Sequence, residues 1–350
     1  MCKQLFAALA ALLLSDATAL AQSCTLPALA DTAELKQVPG SDLITVAVAI
    51  NGKPKQFLLN LSTNPSEVSQ AAVTELGLPQ NVSRADTIHI GGWGPDLSNS
   101  MSTSMQAPVY DVKGSQGRNA IRTRVRVGAF TIGNATNRNM QFLVAEDPEM
   151  GKSLPYDGLL SNDFFNQYDV ELNFAGKEIN YLTATKCTDP AQVVFWSHSA
   201  VAAVPMTIVN GKFQVPVTIE GHTINAIIDT TSARTVMRRD VAELMFGLKA
   251  DTPEMKPELD RKDALGGPVY AHRFGQIDFE GVTASNKLVL IQTNGMTRDS
   301  NRDLMLGSRA QVTDERIPDL TLGMDLLRQL HIYAVFGQKT LYMTATQQAQ

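Results

Sequence analysis

Residues 226–236 read Ala226-Ile227-Ile228-Asp229-Thr230-Thr231-Ser232-Ala233-Arg234-Thr235-Val236: a small, apolar strand runs into an aspartate and then into a turn rich in hydroxyl side chains. A second apolar strand ends in the same manner upstream, at Gln56-Phe57-Leu58-Leu59-Asn60-Leu61-Ser62-Thr63. Asn60 and Asp229 hold the same place in the two copies. The chain therefore carries two loops of one design, one built on an amide and the other on a carboxylate.

Both loops follow a hairpin and precede a helix. The first hairpin turns at Asn51-Gly52 and the second at Glu220-Gly221, between alternating apolar strands, which is a strong hairpin signal. Helical spacing follows each loop, and Gly77 and Gly247 are plausible helix ends. The loops and the hairpin turns are each separated by 169 residues, and the helix ends by 170. This nearly constant spacing predicts an internal duplication.

The two halves also end alike. The first half has Leu159-Leu160-Ser161 and the second Leu320-Thr321-Leu322-Gly323, each followed by two alternating strands. Both the start and the end of the pattern thus repeat, which predicts two lobes. At 350 residues the chain is long enough for each lobe to have its own core.

These loops resemble the active-site loops of the pepsin and retropepsin aspartic peptidases, where an apolar strand ends in Asp-Thr/Ser-Gly. Asp229 and Thr230 match that pattern, whereas Thr231 stands in place of glycine. The upstream copy reads Asn60-Leu61-Ser62 and differs at all three positions. The chain therefore resembles a two-lobed aspartic peptidase with an altered active site.

The resemblance implies an all-β fold, with two pepsin/retropepsin-like β-barrel lobes related by a pseudo-twofold axis and a few short helices. The expected division is a first lobe at residues 36–187, an inter-lobe crossing at 188–204 and a second lobe at 205–345. Residues 1–21 precede them as a signal peptide, with Lys3 ahead of a short apolar run.

The resemblance also assigns roles to particular residues. Asp229 and Asn60 take the positions of the catalytic pair. Residues expected on the substrate side of the loops are Thr230, Thr231 and Ser62. Residues expected at the tips of two flaps that close over substrate are Gly114, Gly117, Gly266 and Gly267. Residues expected in the apolar elements behind the catalytic loops are Gly323 and Ser161.

Aspartic peptidases hydrolyse amides with two carboxylates that share one proton. Asn60 cannot exchange a proton at neutral pH, so Asp229 would be a base without its acid; losing one such group commonly lowers the rate about 10²- to 10⁴-fold. Thr231 is also expected to resist the positive φ that a glycine would allow. The favoured interpretation is a degenerate peptidase that binds extended peptides. The alternative is an active endopeptidase in which Asp229 is the base and Asn60 positions the water.

The N-terminus and the cysteines together predict the cellular compartment of the protein. A short secretory signal favours export to a bacterial envelope, as a periplasmic or secreted protein. Its removal leaves Cys24 and Cys187, which are predicted to form a disulfide in an oxidising compartment. Lipidation of Cys24 is the competing prediction, although Ala21-Gln22-Ser23 is a poor lipoprotein signal. No stretch is long enough to cross a membrane as an apolar helix.

Composition restricts the partners further. The net charge is -5 and only 19% of the residues are charged, without any basic run suited to a phosphate backbone, so nucleic acid is not expected. The five histidines show no metal-ligand spacing, and no metal or other cofactor is expected. The expected partner is a peptide or protein, and the expected state is a monomer. A homodimer that joins two Asp229 loops ranks last, because the lobes of one chain would have to separate.

Overall fold

A computed structural model describes most of the chain. The described residues are 26–62, 65–84, 121–145, 154–161, 168–197, 201–209, 211–263, 266–293 and 318–346. Within them, strands alternate buried and exposed side chains, as in β13, Lys212–Ile219, where every second residue is buried.

Eleven elements form the first half of the fold. In chain order they are β1 Leu29–Gln37, β2 Ile44–Ile50, β3 Lys53–Leu59, β4 Glu67–Ser69, α1 Gln70–Leu76, β5 Gln80–Arg84, β6 Ile121–Ile132, β7 Ala135–Ala145, β8 Gly158–Leu160, β9 Asp169–Asn173 and β10 Glu178–Leu182. The short helix α2, Pro190–Val193, then lies in the predicted crossing.

The second half repeats this order. Its elements are β11 Ala202–Pro205, β12 Thr207–Val209, β13 Lys212–Ile219, β14 His222–Ile228, β15 Val236–Arg238, α3 Arg239–Phe246, β16 Lys256–Lys262, β17 Pro268–Phe279, β18 Val282–Gln292, β19 Leu320–Leu322, α4 Met324–Leu327, β20 Leu330–Val335, a 3₁₀ turn Phe336–Gln338 and β21 Thr340–Ala345.

Each half closes into a six-stranded barrel. The first follows the order β2-β3-β8-β4-β7-β6 and returns to β2, and the second follows β13-β14-β19-β15-β18-β17 and returns to β13. In each barrel the strand that leads to the catalytic-type loop pairs in parallel with a three-residue strand, β3 with β8 and β14 with β19. The predicted all-β, two-barrel fold with short helices is therefore confirmed.

A six-stranded sheet joins the two barrels. Its order is β11-β21-β20-β9-β10-β1, and its centre is the antiparallel pair β9 and β20, one from each half. β1 begins at Leu29, upstream of the predicted lobe boundary at residue 36, because it pairs with β10 in this sheet. The barrels are thus fixed to each other by backbone hydrogen bonds as well as by side-chain packing.

The predicted hairpins and helix ends are confirmed in detail. Asn51 and Gly52 have φ of 49° and 79°, and Glu220 and Gly221 have 47° and 86°, so both turn positions of each hairpin have positive φ. Both helices end at a left-handed glycine, as the sequence predicts.

Asp169 is buried at the centre of the joining sheet, with 2% of its surface exposed. Its carboxylate accepts hydrogen bonds from the Thr185 N–H at 3.2 Å and the Phe336 N–H at 3.1 Å, on opposite sides of the lobe junction. Burial nevertheless dominates and raises the pKa of Asp169 to about 6, from 3.8. The junction therefore contains a carboxyl group that titrates well above its ordinary range.

Asp169→Asn should change how stability depends on pH. Because the pKa is higher in the folded than in the unfolded protein, the stabilisation from this group is present below about pH 4 and lost as the pH rises to about 6. Wild type should therefore lose roughly 1–3 kcal/mol relative to Asp169→Asn over this range. Urea unfolding at several pH values measures the difference. Parallel profiles would contradict it, and Glu243→Gln, which removes an exposed carboxylate, is the control.

Candidate active-site cleft

Asn60 and Asp229 occupy equivalent positions at the ends of β3 and β14. The Asn60 N–H donates to the Leu160 carbonyl at 2.9 Å, and the Asp229 N–H donates to the Leu322 carbonyl at 3.0 Å. Each bond continues the parallel pairing with β8 or β19 by one residue. The duplication inferred from sequence thus extends to the backbone hydrogen bonds of Asn60 and Asp229.

Thr230 connects the two loops across the lobe junction. Its buried hydroxyl donates to the Leu59 carbonyl at 2.8 Å and accepts from the Leu61 N–H at 2.9 Å. The reciprocal contact is missing in the described residues, because Leu61 occupies the equivalent position in the first loop and has no hydroxyl. The connection between the loops is therefore one-sided.

The carboxylate of Asp229 is engaged on both oxygens. Oδ1 accepts from the Thr231 N–H at 3.0 Å and from the Thr231 hydroxyl at 2.5 Å. Oδ2 forms an ion pair with the Lys212 ammonium group. Only 13% of the Asp229 side chain and 28% of the Lys212 side chain are exposed. A partly buried carboxylate without a protonated twin is thus neutralised by a lysine.

Lys212 was missed by the sequence analysis, although the predicted hairpin contained the signal. The register of β13 and β14 pairs Gln214 with Ile227, so two residues further along Lys212 lies opposite Asp229. Applied to the first hairpin, the same count places Leu43 opposite Asn60. A charged residue thus faces the carboxylate, whereas an apolar residue faces the amide.

Asn60 has a different set of contacts. Its side chain is 8% exposed, and Nδ2 donates to the Ser161 hydroxyl at 2.9 Å. Ser161 is fully buried, and its own N–H donates to the Ser66 hydroxyl at 2.8 Å. The serine that replaces the expected glycine therefore accepts a hydrogen bond from the residue that replaces the expected aspartate.

Gly323 lies at the position equivalent to Ser161, but there is no space for a side chain there. A Cβ atom there would lie 2.3 Å from the Arg234 carbonyl group. The Gly323 N–H donates to the Thr235 hydroxyl at 3.1 Å, as the Ser161 N–H does to Ser66. The backbone is thus shared by both lobes, but only the first has room for a side chain.

Gly323→Ser should therefore destabilise the protein by about 1–3 kcal/mol, because the new side chain must displace backbone rather than a flexible side chain. Gly337→Ser is the matched control, since no atom lies within 4 Å of a Cβ atom built there. Thermal unfolding of both variants measures the effect. Equal stability of the two would refute the packing argument.

The prediction that side chains at the loop turns would meet a positive φ is wrong. Thr231 and Ser62 are absent from the described residues that have positive φ, so neither side chain is forced into a left-handed conformation. Thr231 instead uses its hydroxyl to hold Asp229, and Ser62 forms an isolated antiparallel bridge with Lys212. The residues that replace the glycines therefore make contacts within the site, without the backbone strain that was expected.

The glycines expected at the tip of the second flap lie in the connection between β16 and β17. Gly266 and Gly267 end the turn between β16 and β17, where Gly266 has φ of 79° and the Gly267 N–H donates to an Asp263 carboxylate oxygen at 2.6 Å. The first flap's Gly114 and Gly117 lie outside the described residues. Closure of either turn over a substrate therefore stays a prediction.

Cys187 is buried and disulfide-bonded. The other two cysteines, Cys2 and Cys24, lie outside the described residues, so the pairing with Cys24 stays a prediction. The described part of the chain contains no cluster of three or more His, Cys, Asp or Glu that could hold a metal ion. Among its helices, none has the length and apolar character needed to cross a membrane.

Comparison with known proteins found one family model and several solved structures that are similar to this chain. Residues 215–326 match the family model described as aspartyl protease. The crystal structure of basic 7S globulin from soybean is similar, with 12% identity, a TM-score of 0.50, and coverage of 91% of this chain and 96% of that one. A retropepsin-like aspartic protease from Rickettsia conorii has 11% identity and a TM-score of 0.29, covering 41% of this chain and 91% of its own. No curated protein sequence matches.

Proposed function

We propose that this chain, which belongs to the aspartic peptidase-like superfamily, binds an extended peptide between its two barrels and does not hydrolyse it. The dyad positions hold Asn60 and Asp229, so only one carboxylate is present where the reaction needs two that share a proton. An amide at the other position cannot serve as the acid.

The ion pair between Lys212 and Asp229 carries this proposal. A catalytic aspartate must bind and activate water, and here both oxygens already accept from Lys212 and Thr231. Asn60, whose amide donates to Ser161, does not compete for that charge. The lysine thus stabilises a lone carboxylate that would otherwise be poorly solvated.

An open strand edge in the second lobe supports peptide binding. In the described sheet β16 pairs with β17 alone, leaving its other edge available. The ladder shifts between Glu258 and Lys262, and Leu259 within this shift is 86% exposed. An extended peptide that adds to such an edge gains backbone hydrogen bonds, and adjacent pockets select its side chains.

Hydrolysis and binding are tested on the same preparation. Residues 22–350 are incubated with a random dodecapeptide pool from pH 3 to 8, products are followed by mass spectrometry, and bound peptides are recovered from immobilised protein. We expect recovery of intact peptides by wild type and by Asp229→Asn. Cleavage by wild type that disappears in Asp229→Asn would instead establish the active endopeptidase with Asn60 positioning the water. If wild type neither retains nor cleaves any peptide, both functions are refuted.

A further inference from the structure

A cavity of about 450 Å³ lies between the two lobes, beside the loop that carries Asp229. The first lobe contributes Ser41 and Asp42 from the turn between β1 and β2. The second contributes Ala233 and Arg234, which end the Asp229 loop, and Arg261 from β16. The cavity therefore borders both the catalytic-type loop and the strand with the open edge.

The charge of the cavity lining is positive. Asp42 forms an ion pair with Arg328, whose Nη1 lies 2.9 Å from one carboxylate oxygen, and Nη1 of Arg234 lies 3.7 Å from the other oxygen. Arg261, also in the lining, has no ion pair within the described residues. The lining thus contains two arginines and one aspartate, and that aspartate is already paired with Arg328 outside the lining, in a chain whose net charge is -5.

Arginine is suited to a particular ligand at such a site. Its planar guanidinium offers several fixed donors and pairs with a carboxylate through two parallel hydrogen bonds. Arg234 is about half exposed, so its donors remain accessible from the cavity. Arg261 lies on β16 within the ladder shift, where the strand leaves its regular pairing with β17.

We propose that this cavity binds the carboxylate of an acidic side chain in the peptide held by the protein. This inference rests on the proposed peptide-binding function and adds a selectivity to it. A peptide strand along the open edge of β16 would pass Arg261, and one of its side chains would enter the cavity toward Arg234. A ligand carboxylate there would neutralise the positive charge that Asp42 alone does not balance.

The carboxylate site is tested first without a peptide. N-acetyl-glutamate methylamide, with the glutamine analogue as the neutral control, is titrated into ¹⁵N-labelled protein while the arginine Nε–H signals are recorded. We expect only the acid to shift the Nε–H signals of Arg234 and Arg261, which are assigned by their absence from the spectra of Arg234→Gln and Arg261→Gln. Equal shifts with both compounds, or none, would overturn the proposal.

Selectivity is tested with peptide pools that carry glutamate or glutamine at one scanned position. Wild type should retain the glutamate form about 5- to 10-fold better at one position, and the preference should fall in 1 M salt. The double variant Arg234→Gln/Arg261→Gln should lose this preference. Arg138→Gln/Arg273→Gln makes the same charge change at exposed positions outside the cavity lining and should keep it.

The outcomes separate the two proposals. Peptides recovered without acidic preference would refute the carboxylate site and leave peptide binding intact. No recovered peptide, together with a specific glutamate shift, would refute peptide binding and support the carboxylate site. Asp42→Asn provides a test of opposite sign, because removal of the competing carboxylate should raise the affinity for the glutamate analogue; a decrease would count against the proposal.

Discussion

The double variant Asn60→Asp/Lys212→Met should hydrolyse peptides about 10²- to 10⁴-fold faster than wild type near pH 4–5, the size of effect expected from restoring a missing acid. Asn60→Asp supplies the second carboxylate at a position whose backbone already matches that of Asp229. Lys212→Met removes the ammonium group that pairs with Asp229 while keeping an unbranched side chain of similar length. The two carboxylates could then share one proton.

Each single variant should gain much less. In Asn60→Asp the lysine remains paired with Oδ2 of Asp229, so that oxygen is not available to share a proton with residue 60. In Lys212→Met a lone aspartate lacks its acid. The restored activity should therefore be non-additive, because the two changes act on one proton.

Initial rates on a fluorogenic peptide pool, measured from pH 3 to 8 for all four proteins, provide the test. Lys249→Met is the control for removal of a lysine from the surface of the same lobe. Asp229→Asn added to the double variant should abolish the gain. If Asn60→Asp alone is as active as the double variant, the role given to Lys212 is wrong; if the correctly folded double variant is inactive, the missing carboxylate and the lysine do not explain the inactivity.

Thr230→Val should destabilise the protein by about 2–4 kcal/mol, because the nearly isosteric side chain leaves two buried backbone groups without their partner. The groups are the Leu59 carbonyl and the Leu61 N–H, both in the other lobe. With no hydroxyl at Leu61 to make the reciprocal contact, no second bond of this kind compensates in the described loops. The loss should therefore appear in the association of the two lobes.

Urea unfolding followed by Trp196 fluorescence measures this loss, since Trp196 stacks on His331 of β20 and donates to the Thr344 hydroxyl. Thr218→Val is the matched control, because its hydroxyl pairs with that of Thr223 at an exposed position of the same lobe. That variant should change stability by less than about 0.5 kcal/mol. Equal changes in the free energy of unfolding for the two variants would show that the hydrogen bonds between the loops add no more stability than an exposed hydroxyl pair.

The sequence allowed the barrels and the places of the two loops to be predicted, because those features depend on local signals. Asn51, Gly52 and Gly77 each have positive φ, and the recurrence of such turns and helix ends at spacings of 169 and 170 residues identified the duplication. Asn60 and Asp229 could be matched for the same reason. Periodicity of this kind is strong wherever turns and apolar alternation coincide.

The remaining features depend on contacts between distant residues. Ser161 looked like a lost glycine, and only the fold brings its hydroxyl to Asn60, 101 positions away. β1 is polar at most positions and was not predicted as a strand because its partner, β10, lies about 150 residues later. Lys212 could have been found by counting along the hairpin, but a reading of the motif alone follows the chain forward from Asp229.

The pairing of β9 with β20 also has a consequence for how the chain folds. Residue Leu172 pairs with Ile332, so the central ladder of the joining sheet cannot form until the last strands have been synthesised. Until then β9 presents an unpaired edge, which is a site for incorrect association with other strands. Such long-range pairing also slows folding, because a large loop must close before the contact forms. The exposed edge of the first half's contribution to the joining sheet is therefore covered only when β20, near the end of the chain, has been synthesised.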